Sequence, residues 1–318
     1  MVQNSKAPLV IIAFTRDVLL RRVLERLMEA SGVGGRSIFV YIDGPRKDAD
    51  LDGIDRVCRV VKEMQEKYRV GINVVQREVN YGCQKNISSA ISEVINKFGR
   101  VIVVEDDVLV SRTFFSYLDA ALEYYEKDHR IWSINAYQSP YMKVPRGVDG
   151  DLYLSPRNLC LGWGTWADRW NKVDFEIKDW PSFKDDPDRM RSLNEAGIDL
   201  AGMMDKHYAG QLNSWAVPCT YYMVKNNLFS VEPRFSLTKN IGFGAQDSVH
   251  TGCRNLIYEK QCYYNFNPRL KTIAPDERVL KRIKYNSSPR GLIDRVYRKC
   301  KRELLRFGGN KDNPIDIV

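Results

Sequence analysis

The 318-residue sequence predicts an α/β fold in which a parallel sheet carries helices on its faces. Two observations support this class. Patterns of buried strands alternate with patterns of amphipathic helices through the first third of the chain, and 44% of all residues are hydrophobic, enough for a sizeable packed core. Because such sheets bind ligands at the carboxyl ends of their strands, we expect the functional residues at that edge.

The predicted strands are short apolar runs rich in β-branched residues, and the predicted helices have apolar residues three and four positions apart. Several of these elements are followed by Gly, Pro or Asp, residues that favour turns. In chain order the predicted elements are strand 9–14, helix 17–30, strand 37–42, helix 51–68, strand 71–76, helix 87–98, strand 101–104 and helix 114–125.

After residue 130 the alternation weakens and the sequence becomes rich in Trp, Tyr, Gly and Pro. This composition favours a less regular region that shapes a binding pocket. We therefore divide the chain into residues 1–150, residues 151–278 and a tail over residues 279–318, with the first two as parts of one compact domain.

Three consecutive acids, Glu105, Asp106 and Asp107, follow the fourth predicted strand. Charge is costly to bury, so acids beside a buried strand need a cation or hydrogen-bond donors. A hard divalent ion that also binds a nucleotide diphosphate satisfies this need, whereas the alternative is a solvated acidic turn. No G-x-G-x-x-G or P-loop motif follows the first strand, so a metal would have to carry the phosphates.

The composition limits which cellular compartment and which classes of binding partner we expect. The longest early apolar run is far shorter than a membrane span, and the seven cysteines contain no C-x-x-C pair. We therefore expect a cytoplasmic protein without a disulfide framework or a zinc site. The net charge of +9 is not read as nucleic-acid binding, because no nucleic-acid-binding motif accompanies it.

A series of short motifs runs along residues 12–250. They are Ile12-Ala-Phe-Thr-Arg16, Ile42-Asp-Gly44, Asn80-Tyr-Gly82, Lys85-Asn86, Glu105-Asp-Asp107, Ser111-x-x-Phe114-Phe115, Leu161-Gly-Trp-Gly164, Asn213-Ser-Trp215, Asn240-Ile-Gly-Phe243 and Asp247-Ser-Val-His250. In this order they resemble the GT-A glycosyltransferases, specifically the branch that contains N-acetylglucosaminyltransferase I and its bacterial sugar-transferase relatives. The resemblance implies a Rossmann-like, nucleotide-sugar-binding mixed sheet over residues 1–150 and an acceptor-binding part over residues 151–278.

The resemblance also implies where a UDP-sugar donor binds. Thr15 and Arg16 follow the first strand at the donor site, and Arg16 and Asp43 match positions that hold the base. A carboxylate at position 43 is suited to accept the uracil N3 proton, and Asn86 falls where a further base contact is expected. Taken alone, Asp43 before Gly-Pro is also a common turn former.

Three further roles follow from the same resemblance. Glu105 and Asp106 match residues near the ribose and the donor sugar, and Asp107 matches the carboxylate that ligates Mn²⁺ (or Mg²⁺) directly. His250 lies in a Gly-rich stretch and is a candidate for the metal or the phosphates. Trp163, between two glycines, forms either a wall against the donor sugar or part of the core.

The catalytic base departs from the family's pattern. The resemblance places a carboxylate just before Trp215, but Asn213 and Ser214 occupy those positions here. An inverting transferase needs a base to deprotonate the acceptor hydroxyl, so we take Asp247 as the substitute candidate, with Asp205 and Asp199 as the alternatives. The other two histidines, His129 and His207, are expected at the surface.

The tail is basic and amphipathic. Residues 281–306 contain ten Lys or Arg against Asp294 and Glu303, with an apolar stripe on one helical face. Such a helix binds an anionic membrane surface, and its alternative is a structural helix docked on the domain. We therefore expect a cytoplasmic protein peripheral on the inner face of the cell membrane.

Together these features predict a metal-dependent, inverting glycosyltransferase of surface-polysaccharide biosynthesis. It would move N-acetylglucosamine or another hexose from a UDP-sugar to a hydroxyl of a surface-glycan or lipid-linked acceptor. The alternatives are a non-catalytic nucleotide-sugar or glycan-binding protein, and a nucleotidyltransferase. The latter should carry a Gly-rich, basic loop after the first strand, which Thr15-Arg16-Asp17 is not.

Overall fold

A computed structural model describes residues 6–243, 263–291, 293, 294, 296 and 297. Its strands are β1 Leu9–Ala13, β2 Ile38–Ile42, β3 Ile72–Gln76, β4 Arg100–Glu105, β5 Val108–Val110, β6 Ile131–Asn135, β7 Leu152–Ser155, β8 Trp163–Trp166, β9 Phe229–Pro233 and β10 Thr238–Asn240. Its helices are α1 Asp17–Glu29, α2 Leu51–Tyr68, α3 Gly82–Phe98, α4 Phe114–Tyr124, α5 Ala167–Trp170, α6 Trp180–Lys184, α7 Pro187–Ala196, α8 Leu200–Tyr208, α9 Ala216–Lys225 and α10 Glu277–Ser287.

Eight strands form one mixed sheet in the order β3-β2-β1-β4-β8-β6-β9-β7, and β5 and β10 form a small second sheet. The first four strands are parallel, as expected, whereas β8 runs antiparallel to both β4 and β6. Strand β9 is parallel to β6, and β7 is antiparallel to β9. The sheet therefore contains strands from both sides of residue 150, and the division into parts at that point stays a prediction.

The first strands and helices form because apolar residues recur with the period of each element. All five residues of β1 are buried, and α1 buries Leu20, Val23, Leu24 and Leu27 along one face. Helix α2 has the predicted bounds. Since β1, β2 and β4 are parallel neighbours, the residues that follow them meet at one edge of the sheet.

Four of the six tryptophans pack together on one side of the sheet, among the buried residues of a single cluster. Trp163 of β8 stacks between Trp132 and Trp215, with ring centroids 5.7 Å and 5.0 Å away. Trp170 contacts all three of these rings at 6.0–6.4 Å. We call Trp132, Trp163, Trp170 and Trp215 the tryptophan cluster.

The predicted single helix over residues 281–306 is wrong at its first half. Helix α10 ends at Ser287, and a second helical stretch begins at Pro289, because proline lacks the amide that a continuing helix needs. Helix α10 packs against β7 and α7, and its Val279 is fully buried. This part of the tail is thus the docked structural helix that the alternative anticipated. Residues 298–306 lie outside the described residues.

Within the described part of the chain, no helix combines the length and the apolar character needed to cross a membrane.

Candidate functional site

Two buried acids after β4 share one arginine. Arg16, at the start of α1, donates to the Asp106 carboxylate through Nε, at 3.2 Å, and through Nη2. Its Nη1 donates to Asp107 Oδ2 at 3.0 Å. Both acids are less than a tenth exposed, so this guanidinium group supplies the positive charge that lets them stay buried.

The electrostatics of this acidic strand end favour binding of further positive charge. Burial, together with the neighbouring Asp107 and Asp106, raises the pKa of Glu105. Burial also raises the pKa of Asp106, although Arg16 opposes the shift. For Arg16, burial alone would lower the pKa, but Asp106 and Asp107 raise it well above its usual value. One arginine thus only partly compensates three carboxyl groups.

The Asp107 carboxylate has one oxygen that is available to a ligand. Its Oδ1 is buried and accepts no hydrogen bond from the described residues, while its backbone oxygen accepts from Ile241 N at 2.8 Å. A Cβ at Gly242 would lie 2.3 Å from Asp107 Oδ2, so a larger residue at position 242 would force the Asp107 carboxylate to shift. Among the described residues no three His, Cys, Asp or Glu side chains form a metal-binding group. An unpartnered carboxylate oxygen fits an ion that takes one protein ligand and completes its shell from a diphosphate and water.

The Asp43 carboxylate, after β2, is in the opposite situation. Its Oδ1 accepts from Gly44 N and Tyr81 N at 2.9 Å and 2.8 Å. Its Oδ2 accepts from Gly82 N at 3.0 Å and from Asn80 Nδ2 at 3.1 Å. These four donors use about four lone-pair positions, the full accepting capacity of a carboxylate. Asp43 therefore fixes the loop that leads into α3.

That loop requires glycine at position 44. A Cβ there would lie 2.3 Å from the carbonyl carbon of Val79, so the chain after β2 and the chain after β3 touch backbone to backbone. The Ile42-Asp-Gly44 motif thus combines a carboxylate that ties down one loop with a glycine that lets this loop come close.

The first turn of α3 lies between the two acidic regions. Cys83 is solvent-accessible, and desolvation of its thiol by the neighbouring protein raises its pKa to about 12, with help from the charges of Glu105 and Asp43. Asn86 is one turn further along the same face, buried, with an Oδ1 that accepts no hydrogen bond within the described part of the chain. The sequence analysis missed Cys83, because a single cysteine carries no pattern.

Asn213 also acts on this turn. Its Oδ1 accepts a hydrogen bond from Gln84 N at 2.7 Å, in the first turn of α3. Helix α3 begins at Gly82, five residues before the predicted start, and its first amides are satisfied by Asp43 and Asn213 from distant parts of the chain. The absence of an acid at position 213 thus coincides with a capping role for the asparagine.

Trp163 belongs to the core, which was one of its two sequence interpretations. It is fully buried, and both faces of its ring are covered by Trp132 and Trp215. A role in donor binding stays a prediction. Thr15 packs against Gly53, where an added Cβ would lie 2.8 Å from Thr15 Cβ.

The remaining candidates have separate outcomes. Asp247 and His250 lie outside the described residues. His207 was expected at the surface, but it is 7% exposed and its Nε2 is 2.8 Å from the carbonyl oxygen of Phe175. His129 is exposed, beside Asp168 at 3.8 Å. Its surface position is as predicted.

The sequence matches the GNT-I family, that of N-acetylglucosaminyltransferase I, over residues 1–196. The chain belongs to the GNT-I family. As a member it is a glycosyltransferase, so neither a non-catalytic binding protein nor a nucleotidyltransferase describes it. Family membership and the mixed sheet flanked by helices together confirm the predicted GT-A fold class.

Solved structures give more distant similarities. UDP-glucose pyrophosphorylase complexed with UDP-glucose is 12% identical, with a TM-score of 0.37 over 72% of this chain and 91% of that one. Galactosyltransferase LgtC in complex with donor and acceptor sugar analogs is 11% identical, with a TM-score of 0.37 over 80% and 82%. TarS from S. aureus is 14% identical, with a TM-score of 0.35 over 64% and 42%. The family assignment rests on the family match alone.

Proposed function

We propose that this GNT-I family member moves N-acetylglucosamine or a related hexose from a UDP-sugar to a hydroxyl of a surface-glycan or lipid-linked acceptor. The observation that carries the proposal is the acidic strand end after β4. There, among the described residues, one buried oxygen of Asp107 has no hydrogen-bond partner, and it lies beside the Arg16–Asp106 pair. A diphosphate with its divalent ion is the ligand whose charge complements such a site.

The donor would lie across the ends of β1, β2 and β4. We assign the uracil base to the side of Arg16, Asp43 and Asn86, and the ribose and sugar to the side of Glu105 and Asp106. The solvent-accessible Cys83 thiol, near both Asp43 and Glu105, supports a binding region between these two sets of residues. The protein would accelerate the transfer mainly by holding the donor and the acceptor in position, more than by covalent catalysis.

Asp107 would ligate Mn²⁺ or Mg²⁺ directly, with diphosphate oxygens and water as the other ligands, and His250 is a further candidate ligand. When bound, the ion neutralises charge that develops on the departing diphosphate. Arg16, which we assign to the base, also places a fixed positive charge beside Asp106 and Asp107, to which it is hydrogen-bonded.

The reaction would invert the configuration at the anomeric carbon of the sugar in a single displacement. The acceptor oxygen forms a bond to the anomeric carbon while the bond from that carbon to the UDP oxygen breaks, and the hydroxyl proton passes to a carboxylate. Asn213 is unsuited to take this proton, because an amide does not ionise as a carboxylate does. We therefore keep Asp247 as the proposed base.

We also propose that the protein binds an anionic membrane surface, such as the inner face of the cell membrane, through residues beyond α10. Ile293, Val296 and Tyr297 lie on one helical face and are 67%, 61% and 62% exposed. Seven of the ten basic residues over positions 281–306 lie beyond α10, and their charge complements anionic lipid. Apolar residues at the surface beside this charge favour a lipid interface over plain solvent.

The central experiment measures binding of UDP by calorimetry with and without Mn²⁺, in the parent and in Asp107→Ala. We expect Mn²⁺ to strengthen binding in the parent and to have no effect in the variant. A thermal-shift series with UDP-sugars and GDP-sugars identifies the donor, since a ligand at 100 times its dissociation constant adds about 2.7 kcal/mol of stability.

Glu66→Ala serves as the matched control, because it removes an exposed acid near the last turn of α2, the end of that helix that leads to the start of β3. Metal-dependent UDP binding that survives in Asp107→Ala would contradict the metal assignment. No response of the parent to any UDP-sugar would contradict the donor.

A further inference from the structure

We propose that Asn213 is a positioning residue for the donor: its side chain sets the first turn of α3, which presents Cys83 and Asn86 to the donor region. The inference rests on the proposed function, because it takes that region to bind a UDP-sugar. It adds a residue that lies 129 positions from the turn that it holds.

The first turn of α3 depends on side chains from elsewhere. Within the described structure its own N-cap residue, Tyr81, makes no side-chain capping bond. The amides of Tyr81 and Gly82 donate to Asp43, and the amide of Gln84 donates to Asn213 Oδ1 at 2.7 Å. Amides at a helix start have no partner inside the helix, so each external acceptor helps to fix where the helix begins.

The fit between Asn213 and this turn is close. Gly82 has a φ of +72°, and a Cβ there would lie 2.7 Å from Asn213 Nδ2. The amide therefore occupies space that only glycine leaves open. A larger residue at position 82 would have to displace Asn213 or shift the turn.

Asn213 is itself held from the other side. Two residues later, Trp215 stacks on Trp163 at 5.0 Å inside the tryptophan cluster. The side chain of Gln84 adds a second link, since its Nε2 donates to the carbonyl oxygen of Phe175 at 3.2 Å. The turn that faces the donor is thereby tied to the acceptor part of the molecule through the segment 213–215.

The test compares Asn213→Ala with Asn213→Asp. An aspartate keeps an acceptor for Gln84 N and suits the positive end of a helix, so it should rescue the loss. We expect Asn213→Ala to raise the dissociation constant of UDP with Mn²⁺ by roughly three- to tenfold, about the worth of one net hydrogen bond, and Asn213→Asp to restore it. The kcat for UDP-sugar hydrolysis should stay within about twofold in Asn213→Ala, because a positioning residue acts mainly on binding. Asn213→Asp is compared by UDP affinity alone, since it places a carboxylate where the resemblance expects the base.

Asn171→Ala is the matched control. Its Nδ2 donates to Asn96 Oδ1 at 2.7 Å, in the last turn of the same helix. It removes a comparable bond to α3 at the end away from the donor. Unfolding stability should fall in both alanine variants, but UDP affinity should fall only in Asn213→Ala.

Amide hydrogen exchange of residues 82–86 in the ligand-free protein gives a readout that needs no donor. We expect faster exchange in Asn213→Ala and parent-like exchange in Asn171→Ala. Faster exchange in a protein whose parent does not bind UDP would support the positioning role and contradict the proposed donor. Unchanged exchange, or equal loss of UDP affinity in the control, would overturn the inference. If Asn213→Ala does not fold, Asn213→Gln, which moves the amide by one methylene, takes its place.

Discussion

The acid after β2 and the acids after β4 lie at the same edge of one sheet, yet their carboxylates differ in how many hydrogen-bond partners they have. Asp43 accepts four hydrogen bonds from its own chain. In the part of the chain that the structure describes, Asp106 and Asp107 instead share a single arginine, and one oxygen of Asp107 has no partner. A carboxylate whose lone pairs are filled holds backbone in place. One with an unfilled position is prepared for a ligand that supplies the missing charge.

The largest expected effect comes from removing the arginine that balances the second region. Arg16→Ala leaves Asp106 and Asp107 buried without a cation, so we expect the free energy of unfolding to fall by about 3–5 kcal/mol at neutral pH. Urea denaturation measures the change. Added Mn²⁺ should recover part of it if the acids bind the ion.

Arg56→Ala is the control, because it breaks ion pairs to Asp17 and Asp52 that water already screens. Its effect should be far smaller than that of Arg16→Ala. Equal effects would mean that the acids after β4 do not depend on Arg16, and the contrast between the two strand ends would then be lost.

A further buried acid of the same sheet tests a case in which burial itself raises the pKa of the carboxyl group. Glu232 of β9 is 3% exposed, its Oε2 accepts from the Tyr153 hydroxyl at 2.6 Å, and burial raises its pKa from 4.5 to about 7. Between these values the unfolded chain releases the proton while the folded protein keeps it. Folding stability must therefore fall as pH rises through this window, by about 3 kcal/mol in total.

Glu232→Gln should remove this part of the pH dependence. We expect the variant to lose less unfolding free energy than the parent between pH 4.5 and pH 8, as measured by urea denaturation at several pH values. Glu66→Gln, at an exposed position of α2, should follow the parent. If Glu232→Gln has the parent's slope, burial does not hold that carboxyl in its neutral form.

A substitution of Asp43 tests whether its four hydrogen bonds serve only the structure of the loop. Asp43→Ala leaves the loop amides of Tyr81 and Gly82 without their acceptor, so we expect UDP binding to weaken by about 1–3 kcal/mol. Calorimetry with UDP, GDP and ADP separates two outcomes. A selective loss for UDP supports direct contact with uracil, whereas an equal loss for all three would make Asp43 only a loop holder.

The smallest effect concerns the tail. A chain that ends at Ser288 keeps the docked helix α10 but lacks the exposed Ile293, Val296 and Tyr297. We expect the full chain to co-sediment with anionic vesicles at low salt and to be released as salt rises, since screening weakens the attraction of basic residues. The shortened chain should bind UDP normally and ignore the vesicles. A full chain that does not bind anionic vesicles at low salt would contradict the membrane proposal.

The sequence predicted those parts of the fold that depend on local patterns. Strands β1, β2 and β4 are continuous apolar runs, and α2 has apolar residues at helical spacing, so their positions were found to within one or two residues. Strands β7, β8 and β9 include serine, threonine, glycine, glutamate or proline among their four or five residues, so they lack the continuous apolar run of β1 and β2. No local period marks them, and they were not predicted.

The same limit applies to the candidate site. Glu105, Asp106 and Asp107 are adjacent in sequence and could be recognised together. The early start of α3 depends on Asp43 and Asn213, which reach it from distant segments, so no pattern within residues 82–86 announces it. His207 is likewise buried, with its ring beside the Phe175 carbonyl, a contact 32 residues away in sequence. The polar residues next to His207 in sequence do not indicate this burial.

The tryptophan cluster gives the molecule an internal optical reporter. Its four indoles lie 5.0–6.4 Å apart wherever their rings contact, close enough for their ultraviolet transitions to couple. Near-ultraviolet circular dichroism depends on such fixed aromatic packing. Because Trp215 is the member that follows Asn213, movement of that segment away from the sheet should change the signal, and the motion can be followed without a label.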